Sequence, residues 1–304
     1  MAAYNGEKYI KQQIESIMKN TYEDVRLIIC DDTKEKKTST AMTDILDFMK
    51  EKYGDKITYK KNSENKGCTR NFLEGLQNSS AEYIMFSDQD DYWNKDKIEH
   101  TLGKMKELEN RYGKDTPLVV FTDATVVDSS LNLIHLSFHS SNHLNTNKLD
   151  LAHILMENKL LGCTMMMNQA LKEKIIAIPK NARVHDWWIA LVAAAFGKIG
   201  YLEEATILYR QHGENVIGHQ EYGSYIKRRL ANLKAQREVI YSNMKQAQEF
   251  LDIYRDLLSK QQKELIERFA TLKDKNWFYR RYALLRYGYK KSGLPRNIGL
   301  FLVI

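Results

Sequence analysis

Short apolar runs alternate with amphipathic segments over the first half of the chain. The 3.6-residue spacing of apolar positions predicts helices at Lys8–Asn20, Thr40–Tyr53, Asn71–Gln77 and Asp96–Tyr112. Buried strands are predicted at Val25–Cys30 and Tyr83–Phe86, and two more strands at Ile57–Lys60 and Leu118–Phe121. This alternation predicts an α/β fold in which helices flank a mostly parallel sheet.

Three of the predicted strands end in acidic residues. Asp31-Asp32 follows the first strand, the run from Asp88 to Asp91 follows the third, and Asp123 follows the fourth. In parallel sheets flanked by helices, ligands bind outside the carboxyl ends of the strands. The sequence therefore predicts a polar binding site along that edge of the sheet.

Asp88 and Asp90 are spaced to act together. In an extended segment, residues i and i+2 project to the same side, so both carboxylates can face one cation. Oxygen ligands of this kind suit Mg²⁺ or Mn²⁺, and such a cation stabilises a diphosphate leaving group. A solvated Asp-rich turn is the plainer interpretation of an isolated Asp-x-Asp. The preceding strand and the following Tyr92-Trp93 favour the metal site in this chain.

Three further positions allow both a structural and a functional interpretation. Asp31 forms an Asx turn or binds a base or ribose, and its local sequence alone favours the turn. Asp186 caps the apolar helix that it precedes, or it serves as a general base whose pKa is raised by burial; the two roles are compatible. His212 is a structural or exposed histidine, or it is a metal ligand beside carboxylates.

The composition indicates a globular protein without disulfides. Hydrophobic residues make up 43% of the 304 residues, which is enough for a sizeable core. Cys30, Cys68 and Cys163 lie far apart and form no Cys-x-x-Cys pair, which argues against a disulfide framework or a zinc site. Neither a signal peptide nor an apolar run long enough for a membrane span is recognised, so a cytoplasmic location is predicted.

Positive charge is concentrated in the C-terminal part of the chain. Ser224–Ile304 holds 18 Lys and Arg against 7 Asp and Glu, whereas the rest of the chain holds 28 against 32. A basic body would indicate a nucleic-acid partner, and this distribution argues against one. The basic helical stretch Tyr222–Tyr289 is either a solvated hairpin or a segment that docks on anionic lipid. In the second case the apolar Ile298–Ile304 reaches into the bilayer or into a partner chain.

Taken together, the motifs resemble the family 2 glycosyltransferases of the GT-A fold. The nearest likeness is to bacterial rhamnosyltransferase-like enzymes of surface polysaccharide biosynthesis. The motifs occur in the family's order over about residues 2–218, and residues 219–304 then form a basic helical C-terminal region. The matching segments are Ala3–Ile10, Asp31-Asp32, Asn65–Gly67 with Asn71-Phe72, Ser87–Trp93, Gly162–Met165, His185–Trp188 and Tyr209–Asn215.

The resemblance implies a role for each matching residue. Asp186 is the implied catalytic base, and Asp90 and His212 are the implied ligands of Mg²⁺ or Mn²⁺. The implied donor-binding residues are Tyr4, Asn5, Asp31, Asn65, Gly67, Asn71, Asp88 and Gln89. The implied acceptor-side residues are Asp91, Trp93, His185 and Trp187.

The activity that the resemblance implies is a single inverting displacement. A sugar, rhamnose or another hexose, would pass from a dTDP- or UDP-sugar to a hydroxyl of a growing surface polysaccharide or of a lipid-linked saccharide. A lipid-linked acceptor would place the cytoplasmic protein at the inner face of the plasma membrane, with peripheral contact through the C-terminal region.

Two departures from the family's pattern keep other functions open. The apolar first strand that normally precedes Ala3 is missing, and its loss is expected to cost more than the ~5–15 kcal/mol net stability of a domain. Asp31-Asp32 is followed by Thr33–Lys37 instead of small turn residues. A non-catalytic nucleotide-sugar-binding or scaffold protein on the same fold is the main alternative. A nucleotidyltransferase ranks last, because Tyr4–Glu7 offers no Gly-rich basic loop for phosphates.

Overall fold

The computed structural model describes residues 1–34, 36–212 and 233–304, which divide into two compact units. The first unit consists of Met1–Phe138, Leu161–Lys174 and Lys198–Gly218, and the second of His139–Leu160, Ile175–Gly197 and His219–Ile304. The boundary predicted between residues 218 and 219, the start of the helical tail at Tyr222 and the motif residues 213–215 lie outside the described residues.

Two sheets form the centre of the first unit. The smaller sheet is parallel, in the order β1-β2-β3, and consists of β1 (Ala2–Ala3), β2 (Leu27–Asp31) and β3 (Ile57–Lys61). The larger sheet has the order β4-β8-β6-β9-β5, with β7 paired to β6. Its strands are β4 (Tyr83–Met85), β5 (Tyr92–Trp93), β6 (Leu118–Val127), β7 (Leu133–His135), β8 (Met166–Asn168) and β9 (Lys198–Arg210).

Amphipathic helices cover these sheets. The helices of the first unit are α1 (Ile10–Met18), α2 (Lys36–Tyr53), α3 (Cys68–Gln77), α4 (Lys97–Tyr112) and α7 (Gln169–Lys174). In α1, the spacing of Ile10, Ile14 and Ile17 puts all three on one face, and all three are buried. The same period-3.6 pattern had predicted this helix, so the α/β class and the flanking helices are confirmed.

The larger sheet departs from simple parallel order. β8 lies between β4 and β6 and is antiparallel to both, whereas β6 and β9 are parallel. All three β8 residues are buried, and the paired β6 residues Val119 and Val120 are buried as well. A short strand of Met and Asn carries no alternation that would have revealed this position in the sequence.

The expected gap before Ala3 corresponds to a shortened first strand. β1 contains two residues, and it pairs with β2 while the amide of Ala2 donates to the carbonyl of Ser87 at 3.2 Å. A cavity of ≈ 590 Å³ lies in the first unit and is lined by residues of β2 and β4, among them Ile28, Cys30 and Ile84. The amide of Ala2 therefore links the smaller sheet to Ser87, which follows β4.

The second unit is helical. A four-residue helix α5 (Phe138–Ser141) includes the passage from the first unit to the second, and the remaining helices are α6 (Leu151–Met156), α8 (His185–Phe196), α9 (Leu233–Tyr254), α10 (Lys260–Ala270), α11 (Trp277–Arg286) and α12 (Leu294–Val303). In its core, the Trp188 ring lies 5.4 Å from Phe250 and 6.2 Å from Tyr254, centroid to centroid. This aromatic packing explains why Ile175–Gly197 groups with the C-terminal helices. Across the described ranges, no helix combines the length and apolarity that a membrane crossing requires.

Candidate active site

The end of β2 is an acidic corner whose carboxylates are bonded within the protein. Asp31 accepts hydrogen bonds from the Tyr59 hydroxyl at 2.8 Å and from the amide of Thr33 at 2.9 Å. The second of these is the Asx turn that its sequence favoured. Asp31 is fully buried, so its carboxylate needs these donors in place of water.

Asp32 organises the loop that follows β3. Its carboxylate accepts from the amide of Lys66 at 2.9 Å, from the amide of Gly67 at 2.8 Å and from the side chain of Asn62 at 2.8 Å. The side chain of Asn65 donates to the carbonyl of Asp32 at 3.1 Å. Four donors from one loop therefore converge on a single residue, which fixes the loop against the end of β2.

Gly67 and Asn71 lie at the start of α3 beside this corner. Gly67 has φ of 76°, a left-handed conformation that glycine adopts without steric cost. Asn71 donates to the carbonyl of Cys30 at 2.8 Å and accepts from Asn62 at 2.8 Å. The structure thus brings together four predicted donor-side residues, Asp31, Asn65, Gly67 and Asn71. Their donor-binding roles stay predictions.

Tyr4 and Gln89 are joined by a pair of hydrogen bonds. The amide of Tyr4 donates to Oε1 of Gln89 at 2.7 Å, and Nε2 of Gln89 donates to the carbonyl of Tyr4 at 2.8 Å. A Cβ on Gly6 would lie 2.1 Å from Oε1 of Gln89, so only glycine permits this close approach. Asn5 has φ of 51°, and its amide donates to Thr33 Oγ1 at 2.9 Å. These bonds leave the Tyr4 ring exposed.

The acidic loop after β4, Asp88–Asp91, contains a buried carboxylate. Asp91 is fully buried, and its Oδ1 accepts from the amide of Arg210 at 3.2 Å, while no described residue hydrogen-bonds to its buried Oδ2. Burial raises the pKa of Asp91 well above its usual value, and the neighbouring charges of Asp90 and Asp88 raise it further. The closeness of Asp88, Asp90 and Asp91 in this loop therefore disfavours the ionised form of Asp91.

Asp90, in this loop, and His212 are in direct contact. Nε2 of His212 and Oδ2 of Asp90 are 2.7 Å apart, and both side chains are largely shielded from solvent. The His212 ring also stacks near Tyr9, with centroids 5.2 Å apart. The two residues predicted as metal ligands are thus adjacent, although they are 122 positions apart in the sequence.

Arg210 holds the acidic loop in place. Its Nε donates to the carbonyl of Asp90 at 2.6 Å, its Nη1 to the carbonyl of Ser129 at 2.7 Å, and its Nη2 to Gln12 at 2.6 Å. The guanidinium also lies over the Tyr9 ring at 4.5 Å. This fork uses the geometry that distinguishes Arg from Lys, and it fixes the backbone that carries Asp90.

Two sets of side chains near the loop can be compared as cation ligands. Ligand atoms of Asp88, Asp91 and Cys163 lie within 4.8 Å of one another. Burial and the charge of Asp91 raise the pKa of the Cys163 thiol well above its usual value, and a soft sulfur ligand suits Mg²⁺ or Mn²⁺ less well than oxygen ligands do. Carboxylate and imidazole ligands suit Mn²⁺ better than a thiol does, so the adjacent pair Asp90 and His212 offers the better ligands.

Trp93 and Lys97 lie behind the loop. Trp93 is buried, and its amide donates to Ser16 Oγ at 3.0 Å. The buried Lys97 ammonium lies 4.9 Å from the Trp93 ring and donates to Thr206 Oγ1 at 3.2 Å. Burial lowers the pKa of Lys97 to about 8. The acceptor-side roles of Asp91 and Trp93 stay predictions.

In the second unit, Asp186 belongs to the first turn of α8. The N-cap of α8 is Val184, so Asp186 does not occupy the capping position itself. Its Oδ1 accepts from the side chain of Asn158 at 3.0 Å and from the amide of Trp187 at 2.6 Å. Asn158 is in turn held by the amide of Leu160 at 3.1 Å. The carboxylate is therefore fixed in orientation, which a general base requires.

His185 and Trp187 flank this carboxylate. Burial lowers the pKa of His185 to about 3, so the ring is neutral near pH 7. Nε1 of Trp187 donates to the carbonyl of Ile154 at 2.6 Å, and its ring is buried. Both residues lie in the packed interior of the second unit, and their acceptor-side roles stay predictions.

Sequence reasoning missed two positioning residues. Arg210 belongs to the quoted motif Tyr209–Asn215, and an arginine two positions before a predicted metal ligand was an available signal. Asn158 carries no local pattern, because its contact with Asp186 depends on the packing of α8 beside the chain that follows α6.

Comparison with known proteins places the chain among glycosyltransferases. It is 25% identical over 211 residues to an uncharacterised glycosyltransferase of Rickettsia typhi, covering 69% of this chain and 62% of that protein. It is 29% identical over 237 residues to the dTDP-rhamnosyl transferase RfbG of Shigella flexneri, covering 72% and 73%. The chain thus spans less than two thirds of the Rickettsia typhi protein, and it spans 33% of a Rickettsia felis glycosyltransferase.

Solved structures of glycosyltransferases share the fold. TarS 1–349 of S. aureus in complex with UDP-GlcNAc matches with a TM-score of 0.56 at 16% identity, covering 94% of this chain and 78% of that one. The mannosyltransferase PcManGT of Pyrobaculum calidifontis, in complex with GDP-Man and Mn²⁺, matches with a TM-score of 0.53 at 15% identity, covering 94% and 71%. The family model described as "Glycosyl transferase family 2" matches residues 1–172. The chain therefore belongs to glycosyl transferase family 2.

Proposed function

We propose that the protein is an inverting, metal-dependent glycosyltransferase that uses a nucleotide-sugar donor. The observation that carries this proposal is the pairing of Asp90 with His212 at 2.7 Å beside the crowded carboxylates of Asp88 and Asp91. An acidic cluster whose charges raise the pKa of one member is stabilised by a cation. Mg²⁺ or Mn²⁺ held by Asp90 and His212 would neutralise the diphosphate of the donor, with Asp88 on the donor side of the site.

The donor nucleotide is assigned to the corner formed by β2, α3 and Tyr4. The exposed Tyr4 ring offers a stacking surface for a base, and Gln89 holds its backbone from both sides. Asp31 and Asp32 are already engaged by internal donors. We therefore assign them mainly to building this corner, with Asn65, Gly67 and Asn71, and only Asp31 also to the polar edge of the base.

The chemical step is assigned to Asp186. Its carboxylate takes the proton of the acceptor hydroxyl as that oxygen forms a bond to the anomeric carbon of the sugar. The bond between the anomeric carbon and the diphosphate oxygen breaks in the same step, and the nucleoside diphosphate leaves with the electron pair. Attack opposite the leaving group inverts the anomeric centre. Asn158 would keep the carboxylate of Asp186 fixed in orientation for this proton transfer.

The donor is proposed to be a dTDP- or UDP-sugar, with rhamnose or another hexose as the transferred sugar. The likeness to a dTDP-rhamnosyl transferase and to a protein solved with UDP-GlcNAc supports this class. The proposed acceptor is a hydroxyl of a growing surface polysaccharide or of a lipid-linked saccharide. Such an acceptor would place the protein at the inner face of the plasma membrane.

A donor screen followed by one substitution tests the proposal. Thermal unfolding with UDP-, dTDP- and GDP-sugars, with and without Mn²⁺, should show stabilisation by one donor class only when the metal is present. Asp186→Asn should then lower transfer by about 10³-fold, a loss of ~4 kcal/mol in transition-state stabilisation, while donor stabilisation persists. Asp256→Asn, an exposed carboxylate in the same unit, is the matched control. Transfer that survives in Asp186→Asn would refute the base assignment.

A non-catalytic nucleotide-sugar-binding protein is the second candidate. It predicts donor-dependent stabilisation without hydrolysis or transfer for any donor. The same screen therefore separates the two functions.

A further inference from the structure

The helix α11 presents an apolar stripe to solvent. Phe278, Tyr282 and Leu285 follow the spacing i, i+4 and i+7, which puts them on one face, and all three are exposed. Phe278 is 79% exposed, which is unusual for a large aromatic side chain. The opposite face of α11 is anchored by the buried Ala283 and Leu284. The helix α11 is therefore packed against the protein on one side, and the apolar stripe on its other side remains exposed.

The helix α12 presents a second stripe of the same kind. Leu294, Ile298, Phe301 and Leu302 are exposed at i, i+4, i+7 and i+8, and Leu294 reaches 73% exposure. Leu300 and Val303 are buried on the other side of the helix. One face of α12 therefore packs against the protein, and the face that is exposed to solvent is apolar as well.

Arg281 joins the two stripes. Its guanidinium lies 3.8 Å from the Trp277 ring centroid and 5.6 Å from that of Phe301. Its Nη1 also donates to the carbonyl of Ile304 at 3.0 Å, which links α11 to the end of α12. Together the stripes form one patch, here called the terminal surface, which consists of Trp277, Phe278, Tyr282, Leu285, Leu294, Ile298, Phe301 and Leu302.

Basic residues surround the terminal surface in the sequence. Residues 271–304 hold eight Lys and Arg and one Asp, so the segment that carries both stripes is strongly positive. Lys273, Lys275, Arg286 and Lys290 are exposed. Tyr and Trp rings next to Lys and Arg are typical of segments at a membrane–water interface. The positive charge therefore favours a negatively charged partner over a neutral apolar groove of another protein.

We propose that the terminal surface docks on a bilayer that contains anionic phospholipid. The apolar stripes of α11 and α12 would lie in the headgroup region, and the exposed basic side chains would pair with lipid phosphates. Both helices are ten residues long, which suits a helix that lies in the interface and is too short to span the bilayer. This inference goes beyond the proposed transfer reaction and does not depend on it.

Flotation of the full chain with lipid vesicles tests the docking. We expect binding to phosphatidylcholine vesicles that contain about 30% phosphatidylglycerol, and binding at least tenfold weaker, roughly, to phosphatidylcholine alone. Raising NaCl from roughly 0.1 M to 0.5 M should weaken the binding, since the contribution of the basic residues is screened. Equal binding to both vesicle types in low and high salt would overturn the anionic-lipid assignment.

Paired substitutions locate the binding surface. Phe278→Ser with Leu285→Ser, and separately Ile298→Ser with Leu302→Ser, should each lower the bound fraction about tenfold or more. Leu133→Ser with Leu136→Ser removes two exposed leucines of the first unit and should leave binding unchanged. Lys273→Gln with Lys290→Gln should weaken binding to anionic vesicles, whereas Lys50→Gln with Lys95→Gln should not. If the controls lose as much binding as the test variants, the terminal surface is not the docking site.

Two further measurements keep the result unambiguous. Thermal unfolding of each variant shows whether the fold is retained, and donor hydrolysis without vesicles shows whether the proposed enzyme is active. Loss of vesicle binding with unchanged unfolding and hydrolysis supports the docking alone. Light scattering addresses the other occupant: a dimer that the stripe substitutions dissociate, in a protein that binds no vesicles, would overturn lipid docking and assign the surface to a second copy.

Discussion

The two acidic strand ends of the first unit differ in how their carboxylates are used. At the end of β2, Asp31 and Asp32 accept hydrogen bonds from Tyr59, from Asn62 and from three backbone amides. In the loop after β4, one oxygen of Asp91 is buried with no donor among the described residues. Burial and neighbouring carboxylates raise the pKa of Asp91. The carboxylates at the end of β2 are thus matched by hydrogen-bond donors, whereas one oxygen of Asp91 in the loop after β4 is not.

This difference indicates which acids build the site and which would bind a ligand. A carboxylate that is fully bonded within the protein adds stability and gains little from a cation. A cluster of close carboxylates destabilises the fold until a cation or a proton joins it. Two acidic segments near strand ends therefore differ in the hydrogen-bond donors that the fold delivers to them. Substitutions that convert carboxylate to amide at equal size test the contrast directly.

Among substitutions at the two acidic strand ends, the largest effect is expected for Asp90→Asn. The amide keeps the shape of Asp90 but removes the charge that faces His212, so transfer should fall by about 10²–10³-fold with the loss of metal binding. Stability without metal should change little, since less repulsion offsets the lost contact to His212. Transfer assays and unfolding with and without Mn²⁺ measure both quantities. Asp24→Asn, an exposed acid in the same unit, is the control. Full activity in Asp90→Asn would show that the acidic loop does not bind the metal.

Asp32→Asn should produce the opposite result. The substitution places an amide group against backbone amides that now donate to Asp32, so the free energy of unfolding should fall by about 2 kcal/mol. Metal-dependent stabilisation of the remaining folded protein should persist. Urea unfolding gives the first quantity, and a Mn²⁺ titration gives the second. If Asp32→Asn abolished the metal response and left stability unchanged, the two strand ends would have exchanged roles.

Arg210→Lys tests how the acidic loop is held in place. Lysine keeps the charge but cannot donate at once to Asp90, Ser129 and Gln12, so the acidic loop should lose its fixed position. Outer-shell substitutions of this type lower metal affinity or activity by about 10–100-fold. The apparent Mn²⁺ affinity in the transfer assay measures the effect, and Arg111→Lys, exposed on α4, is the control. Unchanged metal affinity would show that the acidic loop keeps its position without the three hydrogen bonds of Arg210.

Much of the fold was predictable because burial leaves a period in the sequence. The helix α4 was predicted at Asp96–Tyr112 and is found at Lys97–Tyr112, and β3 was predicted at Ile57–Lys60 and is found at Ile57–Lys61. The antiparallel insertion of β8 was not predictable from local sequence, since a three-residue strand has too few positions to show alternation. Sheet order depends on contacts between residues that are far apart, and these leave no local pattern.

The site was predictable to the extent that it consists of charged residues in short motifs. Asp90 and His212 were paired on chemical suitability and family resemblance, and the structure places them in contact. The supports of the site were not recognised, because the contacts of Asn158 with Asp186 and of Arg210 with the Asp90 carbonyl join residues that lie far apart in the sequence. Nor could the sequence distinguish Asp32, whose carboxylate is hydrogen-bonded, from Asp91, whose Oδ2 lacks a donor among the described residues. The difference lies in the donors that the fold brings to each carboxylate.

Asp91→Asn gives the smallest effect and the sharpest contrast with Asp32→Asn, because its sign is reversed. The pKa of Asp91 in the folded protein lies above its unfolded value near 3.9, roughly, so the folded state holds an extra proton between the two values. Wild-type stability should therefore fall as the pH rises through that window, and the full cost remains above it. Asparagine never ionises, so in EDTA the variant should exceed the wild type by about 1 kcal/mol near pH 7 and match it near pH 4. Urea unfolding across this pH range measures the difference. A variant less stable than wild type at pH 7 would mean that the Asp91 carboxylate, like that of Asp32, is stabilised by its surroundings.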